Sequence, residues 1–441
     1  MKKYCVILLL LFTISLLLFW QCSLGNRTDD GGILLDKYRK IVLVGDVETI
    51  HATASSTHQE IIWYSSDESV ATVSDSGEVS GISSGNAIIH VGTEDGPYQQ
   101  SCYVTVVADI PDNIILCIGD GMGFEQVKAA GIYKTGVSGS LEFESLEYAN
   151  QMSTYSADNW ITDSAASATA MATGHKVNNH VVSTAIPGDG SELVTVLEFL
   201  KDKGKSTGLV TTTHITDATP ACFGAHEKSR TNYDAIASDY VNGSKPNVLF
   251  GGGGFGITAA MMESAGYHTV TTKDDFVAVD PLLSEYVSAQ FGTDNLPYMY
   301  DEDTTYPDLS QMTEKALAIL QQDDDGFFLL VEGGRIDHAC HSNDIIRAIY
   351  ETVEFEDAVS TVLTWMSGRE DTLLIVTADH ETGGLRVVVN NGPGVAPDVT
   401  WSTDYHTGAG VPVYASGSDE NIIFGEFDNT HIYYAISDYF E

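Results

Sequence analysis

NIILCIGD, residues 113–120, decides how this 441-residue chain is read. A mostly apolar run stops at a carboxylate, and the pattern recurs three times. Thr207 to Thr213 leads to Asp217 and Thr219, Phe327 to Val331 ends at Glu332, and Leu373 to Thr377 ends at Asp379 and His380. Short apolar runs bounded by turn residues read as buried strands of a parallel sheet. In open α/β sheets ligands bind outside the carboxyl ends of the strands, so acids delivered there converge on one crevice. Converging carboxylates repel unless cations lie between them. The expected content is a multi-metal site of Asp, Glu and His, a donor set suited to zinc and magnesium.

Outward from that stretch, apolar runs alternate with helical stretches across residues 109–441, which predicts an α/β domain with a central, mostly parallel sheet flanked by helices. Residues 33–108 differ in kind. Short alternating runs (Ile61 to Tyr64, Val70 to Val73, Ala87 to Val91, Tyr103 to Val107) separated by Ser, Asp and Gly turns predict a small all-β sandwich. Asp109, Pro111 and Asp112 form a brief joint between the two. Gly251 to Gly254 follow a strand-like Asn247 to Phe250 with no Lys-Ser/Thr behind them, so they read as a tight turn rather than a phosphate loop.

With 62 Asp plus Glu against 21 Lys plus Arg, the formal net charge of −41 argues against nucleic-acid binding, which needs a basic footprint. An anionic substrate is compatible with that charge where metals reverse the field locally. Lys2 and Lys3 precede an apolar run from Val6 to Trp20, too short for a comfortable membrane span but suited to an export signal. Residues 1–22 are expected to be that signal and 23–32 a tether, which places the mature protein in the periplasm or cell envelope. Cys22 stands where a bacterial lipoprotein is cleaved and lipidated, with Phe19, Trp20 and Gln21 in place of the usual small residues. A lipid anchor at Cys22, an uncleaved anchor and plain secretion are the alternatives. Cys102, Cys117, Cys222 and Cys340 show no spacing of a disulfide framework or zinc ribbon.

The segment TDSAASATAMATG, Thr162 to Gly174, sets Ser164 after an acid and before a run of small residues that favours a close-packed helix. A hydroxyl at a helix N-terminus is placed where N–H groups and the dipole stabilise an anion, and a nearby cation removes the need for a histidine base. The alternative is an ordinary Ser cap. Asp337 and His341 stand four apart, so one helical turn turns both toward one metal.

IGDGMG (118–123), TDSAASATA (162–170), DATPACFGAHEKSR (217–230), VEGGRIDHACH (331–341), TADHETGG (377–384) and YHTG (405–408) follow one another in an order that resembles alkaline phosphatases. WYSSDESVATVSDSGEVSGISSGNAIIHV (63–91) resembles bacterial Ig-like domains of group 2. The first resemblance implies a phosphoric monoester hydrolase with two Zn2+ and one Mg2+, acting on small phosphate monoesters through a phosphoserine at Ser164. It implies Asp337, His341 and His406 as ligands of one zinc, and Asp120, Asp379 and His380 as ligands of the other. By the same resemblance Asp120 would bridge to magnesium, which Thr219 and Glu332 would also hold, with Asp217 reached through water. Arg230 grips phosphate oxygens bidentately, as a lysine cannot. Asp163, Asp217 and His338 act behind these residues.

The family varies at the positions of Asp217 and His338, and this chain pairs Asp with His, which leaves the third metal open. Only 25 residues separate His380 from His406, so the large insertion of animal members is absent and an open pocket with broad substrate range is expected. An Ig-like unit stands in place of the customary N-terminal arm, which removes support for a homodimer. That unit reads as adhesion or glycan contact, or more simply as a spacer. Rival readings are a phosphodiesterase of the same superfamily, whose members usually carry Thr as nucleophile and lack an equivalent of Arg230, and a surface-binding protein with a relic enzyme domain. No ligand position is lost here, which counts against the relic.

Overall fold

The computed structural model describes residues 32–54, 60–93, 100–418 and 420–440. The expected signal, tether and Cys22 lie outside the described residues, apart from Gly32. Among those described, no helix is long and apolar enough to cross a membrane.

The strand Asn113–Gly119 is buried at every residue and is central to a ten-stranded sheet. Phe327–Gly333 and Thr372–Thr377 flank it, both parallel. Beyond Phe327–Gly333 come Ser206–His214, Val248–Gly252, Val287–Phe291 and His268–Val270, all parallel. On the other side Val411–Gly417 runs antiparallel to Thr372–Thr377, followed by Tyr148–Ser153 and Phe427–Asp428. Such near-continuous hydrophobic strands require cover on both faces. One group of helices includes Phe124–Thr135 and Leu309–Leu320, both packed on Ile345–Met366; the second includes Ser164–Thr173, Ala218–Gly224 and Thr430–Ser437. Ala-rich stretches bring Ser164–Thr173 close to Ala218–Gly224, as the run of small residues predicts.

Register explains the convergence of acids. Ile118 pairs with both Glu332 and Thr377, and Thr211 pairs with Glu332. Asp120 and Asp379, each two residues further on, therefore leave the sheet side by side. Glu332 belongs to its strand rather than following it. The glycine run divides. Gly251 and Gly252 lie in the strand, and a Cβ at Gly252 would stand 2.0 Å from the carbonyl oxygen of Asp294, whereas Gly254, at φ +82, opens the expected tight turn, its carbonyl accepting from the N–H of Ile257 at 3.1 Å.

Residues 33–107 form the small sandwich. A four-stranded sheet (Arg39–Leu43, Gln100–Val107, Gly85–Thr93, Ile61–Ser65) faces a three-stranded one (Val47–Thr49, Glu78–Gly81, Ala71–Val73), with Val79, Ile89 and Val104 in the core between them. This module does not stand off from its neighbour. Ile41 packs into the core of the α/β domain, and Arg39 donates to the carbonyls of Phe424 and Glu426.

Candidate metal centre and active site

Asp163 caps the helix Ser164–Thr173, its Oδ1 accepting from the N–H of Ala166 at 3.0 Å. Ser164 is thereby the first helical residue, 3% exposed, with Oγ 3.3 Å from His380 Nε2. The same Nε2 lies 3.5 Å from Asp120 Oδ1 and 3.2 Å from Asp379 Oδ2. Both carboxylate oxygens are buried with no hydrogen-bond partner. Unpaired buried acceptors are costly, and two of them beside a neutral imidazole nitrogen describe a cradle for a cation. Burial and the charges of Asp379, Asp337 and Glu332 hold Asp120 well above the ordinary carboxylate range. Burial likewise pushes Asp379 up to about 7.

A second group adjoins the first. Asp337 and His341, on the short helix Arg335–His341, approach at 3.3 Å, and His406 Nε2 lies 3.6 Å from the other Asp337 oxygen. Burial alone would raise Asp337, but the hydrogen bond from His341 and the nearby His380 and His406 outweigh it, and its carboxyl is held far below the usual range. The backbone fixes both outer imidazoles. Nδ1–H of His341 donates to Asp404 O at 2.6 Å, and Nδ1–H of His406 donates to Thr162 O at 2.9 Å, which turns both Nε2 atoms inward. Ligand atoms of Asp337, His380 and His406 lie within 4.8 Å of one another, as do those of Asp120, Asp379 and His380, so His380 stands between the two groups. Its ring stacks on that of His406 at 3.6 Å.

A third acceptor cluster lies next to Asp120. Glu332 is buried, pushed up to about 8 by burial first and then, among other groups, by Asp217 and Asp379, and Thr211 Oγ1 donates to its Oε2 at 2.5 Å. Thr219 is buried beside Glu332. The residues present thus fit cations at two adjoining points, both with carboxylate and imidazole donors. Cys340 is not among them; its Sγ faces Gln126 Nε2 at 3.8 Å, and all four described cysteines are free.

Arg230 closes the crevice. Nη1 donates to Asp163 Oδ2 at 3.2 Å and Nη2 to Asp217 Oδ1 at 3.1 Å, so the fork is fixed by two acids while N–H donors remain over. Burial would lower its pKa, but Asp217, Asp163 and Asp120 outweigh burial and keep the cation charged. His338 lies near Asp337 and Asp217, but burial outweighs their charges and lowers its pKa, which favours the neutral imidazole.

Several residues of the site are not evident from sequence. Thr382 Oγ1 donates to Asp337 Oδ1 at 2.6 Å and accepts from His380 Nδ1–H at 3.2 Å, which links the two groups and leaves His380 Nε2 free to ligate. Buried Glu381 accepts from Gln126, Thr407 and the N–H of Leu385, clamping the two-residue strands Glu381–Thr382 and His406–Thr407 together. His214 stacks on Phe255 at 4.0 Å with Nε2 3.8 Å from Asp217 Oδ2. His180 Nδ1 lies 3.2 Å from Asp163 Oδ2. Gly121, at φ +73, donates its N–H to Asp379 Oδ1 at 3.0 Å; a Cβ there would come within 2.9 Å of Asp337 Cα. Glu381 and Thr382 do lie inside TADHETGG, which was the available signal.

The family model for alkaline phosphatase matches residues 111–254 and 253–397, and that for the bacterial Ig-like domain (group 2) matches 39–104. Alkaline phosphatase 3 of Bacillus subtilis is 40% identical over 292 residues, covering 62% of this chain and 62% of its own length. The tissue-nonspecific isozyme of Rattus norvegicus is 31% identical over 385 residues, covering 73% of each chain. The crystal structure of a cold-active alkaline phosphatase from a psychrophilic Shewanella sp. superposes with a TM-score of 0.67 at 31% identity, over 74% of this chain and 98% of the other. The chain thus spans about three fifths of the length of that Bacillus relative.

Proposed function

Since the chain belongs to the alkaline phosphatase family, we propose that it hydrolyses phosphate monoesters with Ser164 as the nucleophile. The observation that carries this reading is Ser164 Oγ at a helix N-terminus, 3.3 Å from His380 Nε2, with the unpaired oxygens of Asp120 and Asp379 on the same imidazole. We assign one zinc to Asp337, His341 and His406, the other to Asp120, Asp379 and His380, and magnesium to Asp120, Thr219 and Glu332 with Asp217 behind. A related TAB5 enzyme variant has been solved with Mg in its M3 site. When bound, the two zinc ions supply Lewis-acid charge for the attacking and leaving oxygens of an in-line displacement.

The chain's own residues do the rest. The N-terminal N–H groups of the helix face the incoming phosphate, and Asp163 holds that helix end in register. Arg230, oriented by Asp163 and Asp217, offers its free N–H donors to two non-bridging oxygens. Ser164 Oγ forms the bond to phosphorus as the ester oxygen leaves; water then cleaves the phosphoserine and releases phosphate. Export to the cell envelope and a lipid anchor at Cys22 belong to the same proposal, on the sequence alone.

The test is parallel turnover of an aryl phosphate and an alkyl aryl phosphate by the metal-loaded protein, with bound metals counted by atomic spectrometry. Preference for the monoester with about two zinc ions and one magnesium is expected. Preference for the diester would overturn the reading.

A further inference from the structure

The Ig-like module grips one segment of the catalytic domain, residues 421–427. The Arg39 guanidinium donates to Phe424 O at 2.6 Å and to Glu426 O, and lies over the rings of Tyr103 and Phe427 at 5.0 and 4.9 Å. Asn86 donates to Asn421 O at 3.0 Å. At Gly425 a Cβ would meet the Tyr103 ring at 2.5 Å, so the two surfaces are in tight contact. A largely buried guanidinium that loses its carbonyl partners is strongly penalised, so the segment and the module stay together.

Two residues past Phe427 stands Asn429, fully buried. Its N–H donates to Ser153 O at 2.9 Å, its Oδ1 accepts from Lys176, and its Nδ2 donates to Ser167 Oγ at 2.9 Å. Ser167, having accepted that bond, donates its own hydroxyl to the carbonyl of Asp379 at 2.6 Å. Ser167 sits one helical turn beyond Ser164, and Asp379 is a candidate ligand. A directed relay from Asn429 through Ser167 to Asp379 thus ties the nucleophile helix to the strand end that carries Asp379 and His380. Nothing in the chemistry proposed above uses Asn429.

From this geometry we infer that Asn429 is a positioning residue of the phosphatase site, and that the Ig-like module holds it in place by gripping residues 421–427 through Arg39. The module is then a working part of the enzyme, and its removal costs metal retention. The inference rests on the site reading given above.

Asn429→Asp is nearly isosteric and keeps the acceptor for Lys176, but it removes the donor to Ser167. Arg39→Met keeps the stem and removes the donors to Phe424 and Glu426. The holoenzyme is challenged with EDTA and followed by atomic spectrometry, kcat and KM are measured, and hydrogen exchange is read over residues 164–173. Asn429→Asp should release metal about ten-fold faster and lower kcat with KM within about twofold. Arg39→Met should accelerate both release and exchange by about three-fold. Combining Asn429→Asp with Ser167→Ala should be no worse than the worse single variant, because both cut one relay. Wild-type release and kcat in Asn429→Asp, or additive effects in the double variant, would overturn the positioning role; wild-type release and exchange in Arg39→Met would overturn the module's part. Wild-type protein that holds no metal at all would sink the site reading separately, and the exchange measurement, which needs no metal, still decides the coupling.

Discussion

His341 and His406 face each other Nε2 to Nε2 at 3.1 Å, while Nδ1 of each is committed to a backbone carbonyl. Two inward lone pairs at that distance need a proton or a cation between them. Without metal the proton serves: the hydrogen bond to Asp337 pushes His341 up to about 9. Glu332, pushed up to about 8, and Asp379, to about 7, hold extra protons for the different reason of burial.

All three groups bind protons more tightly folded than unfolded, so their stabilising contribution is present at low pH and is lost as pH rises through those values. The stripped protein should therefore lose Tm progressively from about pH 4 to about pH 9, with the part above about pH 7 due to Glu332 and His341. Metal replaces those protons, so the loaded protein should hold its Tm above about pH 6.5. Melting curves of both forms decide it, and parallel pH dependence would show that the cluster is not a cation site.

Thr382 makes the next prediction, since one hydroxyl serves both Asp337 and His380. Thr382→Val keeps the shape and deletes both bonds. Metal affinity or activity should fall about ten- to a hundred-fold with little loss of fold, because such outer hydrogen bonds set ligand orientation. Equilibrium zinc titration of the variant is the check. Unchanged affinity and unchanged turnover would mean that the ligands hold themselves.

Arg230 should discriminate between ester classes. Its fork, set by Asp163 and Asp217, meets two oxygens of a monoester, whereas a diester has one of them esterified. Loss of a charge-assisted bond costs roughly 1.5 to 3 kcal/mol, or about ten- to a hundred-and-fifty-fold in rate. Arg230→Ala should lower kcat/KM for an aryl phosphate by that range and leave a diester nearly unchanged. Equal losses on both substrates would make Arg230 structural.

What could be read in advance follows physical range. Asp120 and Asp379 were legible because each ends an apolar run and parallel register carries both to one crevice. Asp337 and His341 were legible because four residues make one helical turn. Ser167 and Asn429 carry no local signal, since their bond joins residues 262 apart. Arg39 carries no local signal either, since its partner Phe424 lies 385 residues away. The spacer reading of the Ig-like unit missed that contact for the same reason. His214 ends its strand, and only the turn that follows brings Asp217 alongside.

The central claim is that Ser164 carries phosphate during turnover. Metal-loaded protein quenched in acid while hydrolysing an aryl phosphate, then digested and analysed by mass spectrometry, tests it directly. One phosphate on the peptide that contains Ser164, absent from Ser164→Ala along with most of the activity, is the predicted result. Covalent phosphate on the Ser164→Ala protein, or full turnover by that variant, would contradict the account.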